Sequence, residues 1–193
     1  AVQAELQQPR PLALSGALRR GLAIVAALAL LQVTLGGWVS TNYAVLACSE
    51  FPTCQGSWWP AMDFRHGFTI WHELGMTAQG DWLPFEALTA IHYVHRLSAY
   101  AVFAAMLALA WALHRSGVAE ARRIALTLVG LAAWQLLSGL SNVVLGWPLL
   151  AALAHTAGAA LLLAGLAAWL VRAALARRGA HQPSLGAAAG AIL

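Results

Sequence analysis

The chain has 193 residues, 61% hydrophobic and only 9% charged, with a net charge of +4. A soluble domain of this length needs far more charge to cover its surface, so the composition excludes one and points to an all-α integral membrane protein. The excess positive charge is arginine without lysine and lies between apolar runs, which fits membrane topology and not a nucleic-acid partner.

Residues 1–20 are polar, contain proline, and lack a charged segment leading into a short apolar core with a cleavage site. They read as a cytoplasmic linker rather than a signal peptide, and the chain reads as the downstream part of something longer. A membrane domain follows over 21–171, with apolar runs at about 21–43, 89–113, 122–146 and 149–171. Each run is long enough at 1.5 Å per residue to cross about 30 Å of hydrocarbon. A long loop, 44–88, rich in tryptophan, proline and acidic residues, separates the first two, and short connections join the rest. Arg10, Arg19 and Arg20 precede the first run, Arg115, Arg122 and Arg123 lie in the second connection, and Arg172, Arg177 and Arg178 follow the last. The positive-inside rule therefore predicts a four-helix transmembrane bundle with cytoplasmic termini, an external 44–88 loop and a cytoplasmic tail over 172–193.

A short internal repeat pairs the runs. "QVTLG" (Gln32 to Gly36) in the first run matches "QLLSG" (Gln135 to Gly139) in the third, and "HRLSA" in the second matches "HTAGA" in the fourth. In the polar positions of the first and third runs the expected role is close helix packing, with contact of Gln32 or Gln135 to a cofactor edge as the alternative.

His95 and His155 each lie about six residues into an outside-to-inside run, roughly 9 Å below its outer end. Two imidazoles at equal depth can face each other across a bundle and bind one heme iron axially. The alternative is that they hydrogen-bond across helices. Ser98, Ala99, Gly158 and Ala159, one turn further on, are small and leave room for a flat macrocycle. Arg96 is expected either to pair with a heme propionate or to anchor at the interface by snorkelling. His92, one turn nearer the water than His95, is expected either to hydrogen-bond a propionate or relay a proton, or to be a bland interfacial histidine. In the loop, Cys48 and Cys54 flank "SEFPT" on the oxidising side, a spacing that predicts a disulfide. A zinc site would need more ligands, and His66 and His72 lack metal-ligand spacing. "FRHGFTIWHELGM" reads as an interfacial helix with Phe68 and Trp71 in the headgroups.

The ordered set "LGGWVSTNYAVLACSEFPTCQGSWWPAMDF", "IHYVHRLSAY", "SGLSNVVLGWP" and "LAHTAGAALLL" resembles the C-terminal half of the heme A synthase family over most of residues 20–172. The resemblance implies half of an eight-helix, pseudo-symmetric protein of a bacterial inner membrane. It implies oxidation of the heme O C8 methyl to a formyl group for cytochrome oxidase. His95 and His155 would be the ligands of a heme b, and Cys48 and Cys54 an outer-loop pair found in part of the family. The family's N-terminal half carries a catalytic Glu three residues before its first ligand histidine; here that position is His92. The implied substrate half, with its heme O, then lies outside this chain or comes from another chain. Heme O synthase and an electron donor are implied partners, and a homo-oligomer is left open. A different class of function, a bis-histidine b-type cytochrome taking electrons from quinol, lacks a reason for the cysteine loop.

Overall fold

The computed structural model describes residues 10–180. The outer parts of the expected linker and tail, 1–9 and 181–193, lie outside the described residues. Helix α1 spans Gly16–Thr41, the one-turn helix α2 Phe64–Gly67, α3 Phe85–Arg115, α4 Ala119–Val144 and α5 Leu149–Ala180. Four of these, all but α2, are long and apolar enough to cross a membrane. The all-helical membrane bundle expected from composition is therefore what forms.

Local chemistry explains the helix ends. Ser15 caps α1 by accepting from Leu18 N at 3.3 Å. Pro84 starts α3 with its fixed φ, and Glu86 in the first turn and His114 and Arg115 in the last suit the helix dipole. Gly117, at φ +74°, makes the turn into α4. Helix α5 runs to Ala180, beyond the apolar run, because Arg172 anchors it. Its Nε donates to the Arg10 carbonyl at 2.7 Å, its carbonyl accepts from Leu12 N at 3.0 Å, and its guanidinium pairs with Glu120.

The long helices pack in a ring in the order α1, α3, α4, α5, with α5 closing back on α1. Helices α3 and α5, which carry the two histidines, are therefore diagonal. A close-packed core of Leu22, Val25, Met106, Leu113, Leu128 and Leu166 fills the end of the bundle away from the 42–84 loop. Leucines such as Leu30, Leu107, Leu137 and Leu161 stay exposed on the outer faces, where lipid is their natural solvent.

The loop folds down onto α3. Thr89, His92, Tyr93 and Arg96 are all buried and share one face of the helix. Gln55 Nε2 donates to Thr89 Oγ1 at 2.8 Å, His92 Nδ1 to the Ala44 carbonyl at 3.0 Å, and Tyr93 Oη to the Trp58 carbonyl. Trp38 Nε1 donates to the Gly67 carbonyl at 2.8 Å. At Gly67 the loop approaches so closely that a Cβ would sit 2.8 Å from the Ala87 carbonyl oxygen. Of the expected interfacial helix only the single turn α2 forms, capped by Asp63. Docking Gly67 on α3 ends it, and Gly75, at φ +78°, turns the chain away from helical geometry. Cys48 and Cys54 form the expected disulfide, with Cα atoms 4.9 Å apart, and both are fully buried.

Candidate heme site

Above the packed core the bundle opens into a cavity of about 440 Å³, within the roughly 300–1,000 Å³ range of small-molecule and cofactor sites. His95 from α3 and His155 from α5 both line it, so the structure brings together the two histidines that the sequence pairs by depth. Its walls are largely apolar, and none of its lining residues is a carboxylate.

Each imidazole sits in a similar cradle built by the neighbouring helix. On one side Gln32 Nε2 donates to the His95 carbonyl at 3.0 Å and lies 3.1 Å from its Nδ1. On the other, with the Gln135 amide assigned so that its two ends meet partners of opposite kind, its nitrogen donates to the His155 carbonyl at 3.1 Å and lies 2.9 Å from its Nδ1, while its oxygen accepts from Ala159 N. Four residues after each glutamine comes a glycine with no room for a side chain. A Cβ on Gly36 would lie 3.1 Å from His95 Cε1, and one on Gly139 would lie 3.0 Å from His155 Cε1. The glutamines thus touch the imidazoles, a third role beside the helix packing or cofactor-edge contact expected of them. The short repeat "QVTLG"/"QLLSG" was the available signal; which partner each glutamine reaches was not in it.

The serines differ. Ser98 Oγ donates to Gln32 Oε1 and so holds the glutamine. Ser138 Oγ donates to the Trp134 carbonyl at 2.7 Å and lies 3.1 Å from His155 Nδ1, so it holds the ring itself. Of the small residues expected beside a macrocycle, Ala99 and Ala159 line the cavity. Gly158 does not: it makes space for the Trp134 indole, which a Cβ there would meet at 2.4 Å.

Arg96 is buried and does not snorkel. Its Nη1 donates to the carbonyls of Thr53 at 2.8 Å and Pro52 at 3.5 Å, and its Nη2 to those of Glu50 at 2.9 Å and Cys48 at 3.4 Å. The guanidinium also lies 5.9 Å from the Phe51 ring centroid. It thereby clamps the disulfide-closed loop beside the cavity wall to which both Arg96 and Phe51 contribute. The backbone N–H of Gly56, the Thr53 hydroxyl and the charge of Arg96 hold the Glu50 carboxyl below its ordinary value. His92 lines the cavity, and because its Nδ1 donates to Ala44 its Nε2 carries a lone pair.

The donor set fits a heme. Among the described residues no group of three or more His, Cys, Asp or Glu is placed to hold a metal ion. Two imidazoles are a thin set for a bare ion, but His95 and His155 would suffice to hold an iron already carried in a macrocycle. The buried Asn142 Oδ1, which has no hydrogen-bond partner, belongs to a residue of the same cavity wall. A buried polar atom left unpaired there is costly and suits a ligand with a polar edge.

Comparison with known proteins identifies the chain's relatives. The family model for cytochrome oxidase assembly proteins (COX15-CtaA) matches residues 1–167. A heme A synthase of Shewanella oneidensis is 36% identical over 140 residues, covering 72% of this chain and 42% of the relative. One of Methylobacterium sp. is 35% identical over 156 residues, covering 79% of this chain and 40% of the relative. One of Caulobacter sp. is 34% identical over 133 residues, covering 67% and 35%. The chain thus spans about two fifths of the length of the curated relatives it matches. No solved structure matches it. By the extent of the family match and the identity to these relatives, the chain belongs to the heme A synthase (COX15-CtaA) family.

Proposed function

We propose that this chain supplies the bis-histidine, heme b-binding half of a heme A synthase, with His95 and His155 as axial ligands. The observation that carries this reading is the matched pair of cradles, one on each diagonal helix, opening on a single apolar cavity. Bound there, the heme supplies one-electron transfer. The chain's own residues orient the imidazoles, keep water out with apolar walls, and close the loop end of the bundle with the Arg96 clamp. Arg96 is the cationic side chain of the cavity wall and the donor for a propionate edge, while His92, its Nδ1–H held by the Ala44 carbonyl, offers Nε2 as an acceptor. For Arg96 this means sharing donors with the loop carbonyls it already holds.

Oxidation of heme O itself would occur in a second four-helix half carrying the Glu that this chain replaces with His92. The absence of carboxylates from the cavity wall supports that division, since hydroxylating a methyl group needs a positioned group to manage protons beside it. The arginine distribution supports cytoplasmic termini and an external loop in a bacterial inner membrane. A heme O synthase and an electron donor complete the proposed set of partners.

The test is to purify the chain from membranes, quantify heme by its pyridine adduct, and supply heme O. About one heme b per chain with no heme A on chromatography of extracted hemes is expected. Turnover by this chain alone overturns the division of labour.

A further inference from the structure

We propose that Gln32 and Gln135 are positioning residues for the two imidazoles, each tying the ring of one histidine to the backbone of that same histidine and so setting ring rotation before an iron binds. The proposal rests on the heme reading.

A histidine ring projecting into a cavity has a broad, roughly two-fold preference about its last side-chain torsion. An axial ligand needs one orientation, and the group at its second nitrogen tunes the metal. In both half-sites one amide nitrogen reaches the carbonyl and the Nδ1 of a single histidine. The distances are 3.0 and 3.1 Å for Gln32 and 3.1 and 2.9 Å for Gln135. Before iron binds, with Nδ1 accepting from the amide and the ring proton on Nε2, a ring so bridged cannot rotate without breaking a contact to its own main chain; a metal on Nε2 puts the ring proton on Nδ1, and an oxygen, not the amide N–H, must then accept it. The far end of each amide is held too, by Ser98 Oγ for Gln32 and by Ala159 N for Gln135. Gly36 and Gly139 leave the Cε1 side of each ring open by only a Cβ's width.

Helix packing alone does not account for the choice of residue. Gln135 is 9% exposed, and burying an amide in an apolar span is costly unless its hydrogen bonds are made. A leucine or methionine would fill the space without that cost. The two half-sites also differ in a way that the proposal turns into a prediction. His155 Nδ1 has a partner in either tautomer, accepting from the Gln135 amide or donating to Ser138 Oγ, whereas the Gln32 amide nitrogen straddles the His95 ring edge, 3.1 Å from Nδ1 and 3.4 Å from Nε2. Loss of Gln32 should therefore free its ring more than loss of Gln135.

The experiment uses the full chain loaded with heme b in detergent. For the wild type, Gln32→Met, Gln135→Met and Gln32→Glu, the heme content, the low-spin ferric g-values and the midpoint potential are measured. Both methionine variants should keep heme with shifted, broadened g-values, and Gln32→Met should show the larger shift. Gln32→Glu, with a carboxylate to accept from the ring N–H, should lower the midpoint potential. Gln32→Asn, whose amide is one carbon short of the ring, carries the same test should Gln32→Met not accumulate. Retained heme with unchanged g-values and potential in either Gln32 truncation overturns the proposal and leaves the heme reading intact. Failure of the heme reading looks different: the wild type holds no heme, or His95→Ala keeps the low-spin signal.

Discussion

His95 and Arg96 are consecutive in sequence and serve different parts of the protein. The His95 ring turns to Gln32 and Gly36 of α1, and the Arg96 guanidinium turns to the carbonyls of Cys48, Glu50, Pro52 and Thr53. The turn of about 100° per residue makes this possible: one position faces the cavity and the next faces the loop. A cavity-lining imidazole and the clamp that holds the loop beside it are thus adjacent across one peptide bond.

Arg96→Met should destabilise the loop by about 1–3 kcal/mol, because removing the donor leaves the buried Cys48 carbonyl and the part-buried Glu50 and Thr53 carbonyls without it. Arg96→Lys should recover little, since a single ammonium cannot span acceptors that a planar fork reaches together. Thermal unfolding in detergent and the rate of proteolysis within 44–63 measure both. A lysine variant as stable as wild type contradicts the fork argument.

Cys48→Ser with Cys54→Ser opens a small loop, for which chain entropy assigns about 2 kcal/mol. A membrane-impermeant thiol reagent applied to intact cells should label these cysteines only after reduction, and a reporter within 114–121 should report the cytoplasm. Labelling without reductant, or only after lysis, contradicts the disulfide or the orientation respectively.

Gly36→Ala and Gly139→Ala place a methyl group 3.1 and 3.0 Å from the Cε1 atoms of His95 and His155. Overpacking of this kind costs about 1–3 kcal/mol, and here the imidazole is the group that must move. Lower heme occupancy with unchanged helix content is expected from the absorption and circular dichroism of the purified variants. Gly130→Ala, where a Cβ meets nothing within 4 Å and which does not line the cavity, is the matched control and should behave as wild type.

Glu50 adds a pH dependence to the loop. Its folded pKa lies below the ordinary 4.5, first because Gly56 N donates to it and then because Thr53 does. The stabilisation is therefore present above about pH 4.5 and fades as pH falls through the lowered folded value. Glu50→Gln should remove that acid limb of loop protection in hydrogen exchange and leave the neutral region nearly flat. An acid limb that survives in Glu50→Gln assigns it to another carboxyl, Asp63 first, whose own pKa is lowered by His66.

Four apolar helices and the disulfide were legible in the residues alone, and so was the placing of His95 and His155 on two helices that run the same way. Each rests on local information: hydrophobic length, cysteine spacing, and depth along a helix of fixed rise. The sequence by itself did not determine which way the helices face, because they are apolar nearly all round and their pattern does not single out an inward stripe. Only the packed bundle placed α3 and α5 on a diagonal, brought Gln32 and Gln135 onto the two imidazoles, and turned Gly158 to Trp134 instead of the cavity. Arg96 shows the same limit most plainly. Its acceptors are backbone carbonyls 43–48 residues away, in a loop without periodicity, and backbone carbonyls carry no residue-type signal. An arginine at the mouth of an apolar run therefore reads as an interfacial anchor until the loop that folds over it is in place.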